Sequence, residues 1–220
     1  EALLRWQHPE KGQISPMDFI PVLETSGLIL DVGQWVIEQA CQSLAIWSSQ
    51  GLWRPGMTMS VNISPRQFRG ASFVQDVIDA LQRYDVPPGA LDIEVTEGII
   101  IQRVDEAIET MSTLAAHQVS FSLDDFGTGY SSISYLKRLP VSTLKIDKSF
   151  IRDLSHDRSD RVLVETIITM ARLLDLNVVA EGVETAEQLE ILHTYHCHSY
   201  QGFYFSPAVP EIQFEALLKR

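Results

Sequence analysis

The stretch Val119-Ser120-Phe121-Ser122-Leu123-Asp124-Asp125 alternates apolar and polar residues and then ends on two adjacent carboxylates. Successive side chains of a strand point to opposite faces, so this stretch has one apolar face and one polar face. The same period recurs elsewhere. Met57, Met59, Val61 and Ile63 interleave with Thr58, Ser60 and Asn62. Ile93 and Val95 interleave with Asp92, Glu94 and Thr96, and Leu144 and Ile146 with Thr143, Lys145 and Asp147. A parallel strand packed against helices on both sides reads as a nearly continuous apolar run. These strands do not, so their polar faces look onto water or ions.

Working outward, strands are expected at 57–63, Leu91–Thr96, 119–124, 143–147, 178–181 and 198–205, with an extended piece at 1–6. Helical patterns lie between them. One opens at Ser15, an N-cap with Pro16 at the first helical position, and stops near Gly27. Others are expected over 32–49, 73–84, 104–117, 160–174, 186–193 and Glu211–Leu218. Strand–helix alternation of this kind implies a parallel sheet covered by helices. A closed (β/α) barrel also explains the polar faces as its interior. An antiparallel sheet with one solvated face is the alternative, and the intervening helices count against it. No linker interrupts residues 1–220, which read as one domain.

Composition narrows the function classes. At 220 residues, 45% hydrophobic and 21% charged, the chain can bury a substantial core. No apolar run approaches the roughly 20 residues of a membrane span, and no signal peptide opens the chain. Cys41 and Cys197 are the only cysteines, which suits a reducing cytoplasm better than a disulfide scaffold. A net charge of -12 argues against a DNA or RNA polymer as ligand. A small phosphate ligand remains compatible, because bound divalent ions invert the local electrostatics.

The polar faces end on a chemically coherent set. Asn62, Glu94, Asp124 with Asp125, Lys145, Glu181 and Gln201 stand at the C-terminal ends of successive strands. In a (β/α) barrel those ends converge on the rim that carries active sites. Carboxylates gathered there, with Glu1 from the opening segment, stay ionised only if cations neutralise them. An all-oxygen donor set favours Mg²⁺ or Mn²⁺ over Zn²⁺. Adjacent Asp124 and Asp125 suit bridging two ions, the arrangement that clamps attacking and leaving oxygens in phosphodiester hydrolysis.

Each residue also has a plainer reading. Asn62 before Ser64-Pro65 could be a helix cap, and Glu97 a surface residue opening the next helix. Lys145, flanked by Leu144 and Ile146, needs an acidic partner if buried, which Asp147 could supply. Asp125-Phe126-Gly127 matches the metal-binding tripeptide of kinases, but their other motifs are missing. The segment Gly127-Thr128-Gly129-Tyr130-Ser131-Ser132 lacks the ending of a Walker loop. Its place after the paired aspartates suits a lid.

Taken together the sequence resembles the EAL family of cyclic di-GMP phosphodiesterases. The resemblance runs through Glu1-Ala2-Leu3-Leu4-Arg5-Trp6, Ser60-Val61-Asn62-Ile63-Ser64, Glu94-Val95-Thr96-Glu97 and 124–132. It continues in Lys145-Ile146-Asp147, Glu181-Gly182-Val183-Glu184 and Gln201-Gly202-Phe203. It implies a TIM-like (β/α)8 barrel with one antiparallel strand. Glu1, Asn62, Glu94 and Asp124 would hold one metal; Asp124, Asp125 and Glu181 would hold a second. The catalytic set would be Lys145, Glu181 and Asp125, with Lys145 orienting or deprotonating the attacking water. Leu4, Arg5, Glu184 and Gln201 would face the substrate, and Glu97 would steady the Gly-rich loop. The resemblance further implies two Mg²⁺ or Mn²⁺ ions, hydrolysis of cyclic di-GMP to linear pGpG, and a homodimer. It also implies fusion to sensory or GGDEF domains, as a cytoplasmic domain of full-length proteins that are in some cases membrane-anchored.

Three departures stand out. The family carries about one more strand before the Glu-Ala-Leu segment, so a first strand is expected to be missing here, leaving an open edge. Pro207-Ala208 follow Ser206 where a basic residue and Pro are usual, which bears on guanine contacts. Gly98 replaces a small hydroxyl residue. The alternative reading is a catalytically silent cyclic di-GMP receptor; silent relatives lose a ligand, the Lys or the loop, and all are present here.

Overall fold

The computed structural model describes residues 1–127 and 133–219. They form two compact units, one from 1–95 with 109–120, the other from 96–108 with 121–218. In chain order the elements begin β1 (Trp6–His8), β2 (Gly12–Ile14), α1 (Pro16–Ser26), α2 (Ile29–Ser49) and β3 (Met59–Asn62). Then come α3 (Pro65–Phe68), α4 (Phe73–Arg83), β4 (Leu91–Thr96), α5 (Glu97–Ile101) and α6 (Val104–Ala116). The second half holds β5 (Ser120–Phe126), α7 (Ile133–Leu136), β6 (Thr143–Ile146), α8 (Lys148–Arg152) and α9 (Arg158–Leu173). It closes with β7 (Asn177–Glu181), α10 (Ala186–Thr194), β8 (Ser199–Gln201) and α11 (Glu211–Leu218).

In the first unit β3 and β4 pair in parallel, Met59 opposite Leu91 through Asn62 opposite Glu94. The expected extended piece at the start reduces to one parallel bridge, Ala2 to Val61, with the Ala2 N–H donating to the Ser60 carbonyl at 2.8 Å. The antiparallel pairing present is the β1–β2 hairpin, Trp6 opposite Ile14. Strands of three residues are too short for alternation to reveal them in sequence. Along α2, Ile37, Cys41 and Leu44 recur at i, i+4 and i+7 and are all buried, the stripe that a core-facing helix presents. α2 packs on α4 and β3. Ser15 caps α1 by accepting from the Met17 N–H, and Gly27 ends it with φ +86°, the left-handed turn that glycine adopts without a Cβ penalty.

In the second unit β5–β6, β6–β7 and β7–β8 pair in parallel. α8 and α9 pack on β7, burying Ile151, Val164 and Ala171. The strand expected over 198–205 stops at Gln201 because the chain turns back at Gly202. There φ is +152°, and a Cβ would sit 2.2 Å from the Val183 carbonyl oxygen. No single helix among the described residues is long and apolar enough to cross a membrane.

Candidate active site

The first unit assembles three of the expected ligands. Asn62 and Glu94 are register partners at the C-terminal ends of β3 and β4, so the period of two puts them on one face. The Ala2 bridge lays the opening residues beside β3, and the Asn62 amide Nδ2 donates to Glu1 Oε1 at 2.7 Å. Asn62 is not a helix cap. Ser64 takes that role at α3, in a reciprocal capping box with Gln67. Two residues earlier on the same face, Ser60 donates to Asp92 Oδ2 at 3.0 Å. Glu94 is 2% exposed, a burial that a carboxylate sustains only with partners.

The second unit holds the paired aspartates, and a bulge explains how both reach one side. Leu123 pairs with Leu144 and Phe126 with Ile146, so β5 spends three steps where β6 spends two. Without the extra residue, Asp125 would fall on the apolar face with Leu123. A bulge re-aims side chains in this way. Asp125 itself has φ +53°, a conformation that Asp tolerates better than most residues. Carboxylate oxygens of Asp124, Asp125 and Glu181 consequently lie within 4.8 Å of one another.

Lys145, 3% exposed, enters this group from β6. Its Nζ is 2.6 Å from Glu181 Oε1 and 3.8 Å from Asp124 Oδ1. The same Glu181 oxygen accepts from Gln201 Nε2 at 2.9 Å, Glu181 and Gln201 being register partners of β7 and β8. The Asp125 N–H donates to Asp124 Oδ1 at 2.9 Å. Burial, then the Asp124 charge, then Asp147 raise the Asp125 carboxyl to about 6. Asp147 is linked to Asp125 by a side-chain hydrogen bond and caps α8, accepting from the Ser149 N–H at 2.9 Å. Its pKa is lowered: burial opposes ionisation, but bonds from Ser149 and Asp125 and the Lys148 charge outweigh it.

Elsewhere in this unit, Glu97 opens α5 yet is 4% exposed rather than a surface residue. It accepts a short hydrogen bond from the Tyr135 hydroxyl on α7. The family model for the EAL domain matches residues 1–208. The chain belongs to the EAL family. It is 44% identical over 213 residues to the bifunctional diguanylate cyclase/cyclic di-GMP phosphodiesterase MucR of Pseudomonas aeruginosa, covering 97% of this chain and 31% of that protein. It is 40% identical over 219 residues to the cyclic di-GMP phosphodiesterase NbdA of the same organism, covering 100% of this chain and 28% of NbdA. The chain thus spans about three-tenths of the length of these curated relatives. The structure of the MucR phosphodiesterase in complex with c-di-GMP superposes with a TM-score of 0.93 at 43% identity, covering 96% of this chain and 85% of that one. The EAL domain of Mycobacterium smegmatis DcpA gives 0.80 at 35% identity, covering 85% and 83%. The fold is the TIM-like α/β fold of the EAL family.

Not every residue expected of an EAL site joins a cluster. Glu184 is exposed and its N–H is held by Gln188 at 2.7 Å. Arg5 is exposed and donates to the Leu4 carbonyl at 2.9 Å. Of the lid expected over 127–132, residues 128–132 lie outside the described residues. A Cβ at Gly98 would meet nothing within 4 Å, so that departure leaves the surrounding packing unchanged. Two residues escaped the sequence reading. Asp147 was visible only as a neighbour of Lys145, although its place two residues further along the polar face of β6 was a usable signal. Tyr135 had none, since only the tertiary fold brings it to Glu97.

Proposed function

We propose that this EAL domain is a divalent-metal-dependent phosphodiesterase that hydrolyses cyclic di-GMP to linear pGpG. The observation that carries the reading is the approach of Asp124, Asp125 and Glu181 within 4.8 Å beside a buried Lys145. Three carboxylates so close are stable only when cations balance them, and all-oxygen donors suit Mg²⁺ or Mn²⁺. Asp124, Asp125 and Glu181 would hold one ion, and Glu1, Asn62 and Glu94 would offer oxygen donors to the other. The chemistry such ions supply is acidification of a water and relief of charge on the scissile phosphate.

The chain's own groups orient and hold. Lys145 ion-pairs with the Glu181 Oε1 and Gln201 donates to the same oxygen, which would hold that carboxylate in place for a bound ion. Lys145 would also orient the attacking water or help its deprotonation. Arg5 stands three residues past the Ala2 bridge and is exposed, so its guanidinium could fork onto a phosphate; Leu4 and Glu184 would also contact substrate. Glu97, through Tyr135, would steady the segment that follows Gly127. We further propose that the domain acts as a homodimer within a longer, multidomain protein.

The test is release of linear dinucleotide from cyclic di-GMP in Mg²⁺ or Mn²⁺. Turnover is expected, lost on chelation and lost in Glu1→Ala, Asn62→Ala and Asp124→Ala. Binding of cyclic di-GMP without turnover in either ion would select the silent receptor instead.

A further inference from the structure

Gln188 is a buried amide, 5% exposed, and its hydrogen bonds reach two different elements. Its Oε1 accepts from the Glu184 N–H at 2.7 Å and from the Thr185 N–H at 3.0 Å. Its Nε2 donates to the Ile151 carbonyl at 3.0 Å and to the Arg152 carbonyl at 3.3 Å. A side-chain amide has two acceptor and two donor positions, so all four are filled. The two halves serve different ends. The oxygen completes a capping box with Thr185 at the start of α10, a role that Glu fills as well as Gln. The amino group does what an ionised Glu cannot, tying the loop after β7 to the end of α8.

That loop leaves directly from Glu181. The β6–β7 ladder ends at Ile146 opposite Ala180, one residue short of Glu181. On the β8 side the backbone continues the hold, with Glu181 opposite Gln201. There the Val183 N–H donates to the Gln201 carbonyl at 3.1 Å, and the Val183 carbonyl accepts from the Tyr204 N–H at 3.0 Å. On the β6 side the hold passes to α8. Gly182 runs so close to it that a Cβ would sit 2.6 Å from the Lys148 Cβ, and Gln188 closes the far end of that contact.

We infer that Gln188 is a positioning residue of the active site, fixing Glu181, through the 182–185 loop and α8, against the strand that carries Lys145. The inference rests on the reading of Glu181 as a metal ligand. A fully satisfied buried polar network rigidifies its surroundings and specifies one arrangement, and a ligand held in its bound orientation binds more tightly. Gln188 acts through the backbone of the loop and takes no part in the chemistry.

The test is Gln188→Glu, which keeps the capping oxygen and puts a carboxylate against two carbonyls of α8. Thr185→Ala is its control, since it removes the other half of the cap and leaves the amide tie in place. Mn²⁺ affinity is read by calorimetry, kcat and KM for cyclic di-GMP in saturating Mn²⁺, and melting temperature without metal. Gln188→Glu should lose about 10-fold in Mn²⁺ affinity, the lower end for groups that orient a ligand without touching the ion. Its kcat should fall with little change in KM. Thr185→Ala should keep both even where it melts lower. Gln188→Met, neutral and of similar length, gives the same comparison should the carboxylate prevent folding. Undiminished Mn²⁺ affinity and kcat in the Gln188 variant, or an equal loss in both variants, would overturn the inference and leave the phosphodiesterase reading standing. Wild-type protein that neither binds Mn²⁺ nor turns over cyclic di-GMP would sink that reading, and this inference with it.

Discussion

Lys145 is a cation buried among carboxylates, 2.6 Å from Glu181. Its removal takes away a group that both aims a ligand and assists a water. Lys145→Ala should lower the hydrolytic rate by about 100-fold or more, the range of a positioned proton-transfer group. The dissociation constant for cyclic di-GMP should change little, measured by calorimetry in Ca²⁺ or in metal-free buffer. A rate within a factor of two or so of wild type would remove Lys145 from the mechanism. Asp125 supplies a second prediction. In the metal-free chain it keeps its proton to about 6, well above the 3.8 of an ordinary aspartate. The folded state therefore binds more protons than the unfolded state in that window, and stability is present below about 3.8 and lost as pH rises through about 6. With chelator present, Asp125→Asn should become progressively more stable relative to wild type across that rise, read by urea unfolding. A difference that stays flat with pH would contradict the shift.

At the scale of the element, the bulge in β5 and the tie between α5 and α7 decide the geometry. The bulge lets two sequence neighbours act together, which a regular strand forbids. The Tyr135 hydroxyl bonds the buried Glu97 carboxylate, and a buried acceptor that loses a donor costs about 1–3 kcal/mol. Tyr135→Phe should lower thermal stability by that amount and reduce turnover in the same direction as Glu97→Ala. Full stability and full activity in Tyr135→Phe would show the bond to be incidental. Short elements such as β1, β2, α3 and α8 were the least readable from sequence, because three to five residues carry too little periodicity. Longer ones matched closely: Leu91–Thr96 and Glu211–Leu218 fall where the pattern puts them.

For the whole molecule, a net charge of -12 means the folded chain carries a standing repulsion, concentrated where carboxylates meet. Ions that bind the folded state alone raise its stability by mass action, by about 2.7 kcal/mol at 100 times the dissociation constant. Mg²⁺ or Mn²⁺ should therefore raise the melting temperature, and Asp124→Asn should abolish most of the increment. An increment equal in both proteins would place the ions elsewhere. The thiols are expected to be silent in the folded chain. Burial, followed by the Glu38 charge, pushes Cys41 up to about 12, and burial raises Cys197 too, so neither is a ready nucleophile.

From residues alone the strand faces, the strand-end carboxylates, the family and the oxygen-donor chemistry were legible, because period-two alternation and side-chain type are local properties. Tertiary structure alone decided how Asp125 reaches the side of Asp124, through a bulge, that Lys145 answers Glu181 rather than Asp147, and that Glu97 is buried against Tyr135. Each of those depends on register and on residues far apart in the chain. A one-residue slip in pairing inverts every side chain, and nothing in the local pattern reports where the extra residue of a bulge is placed.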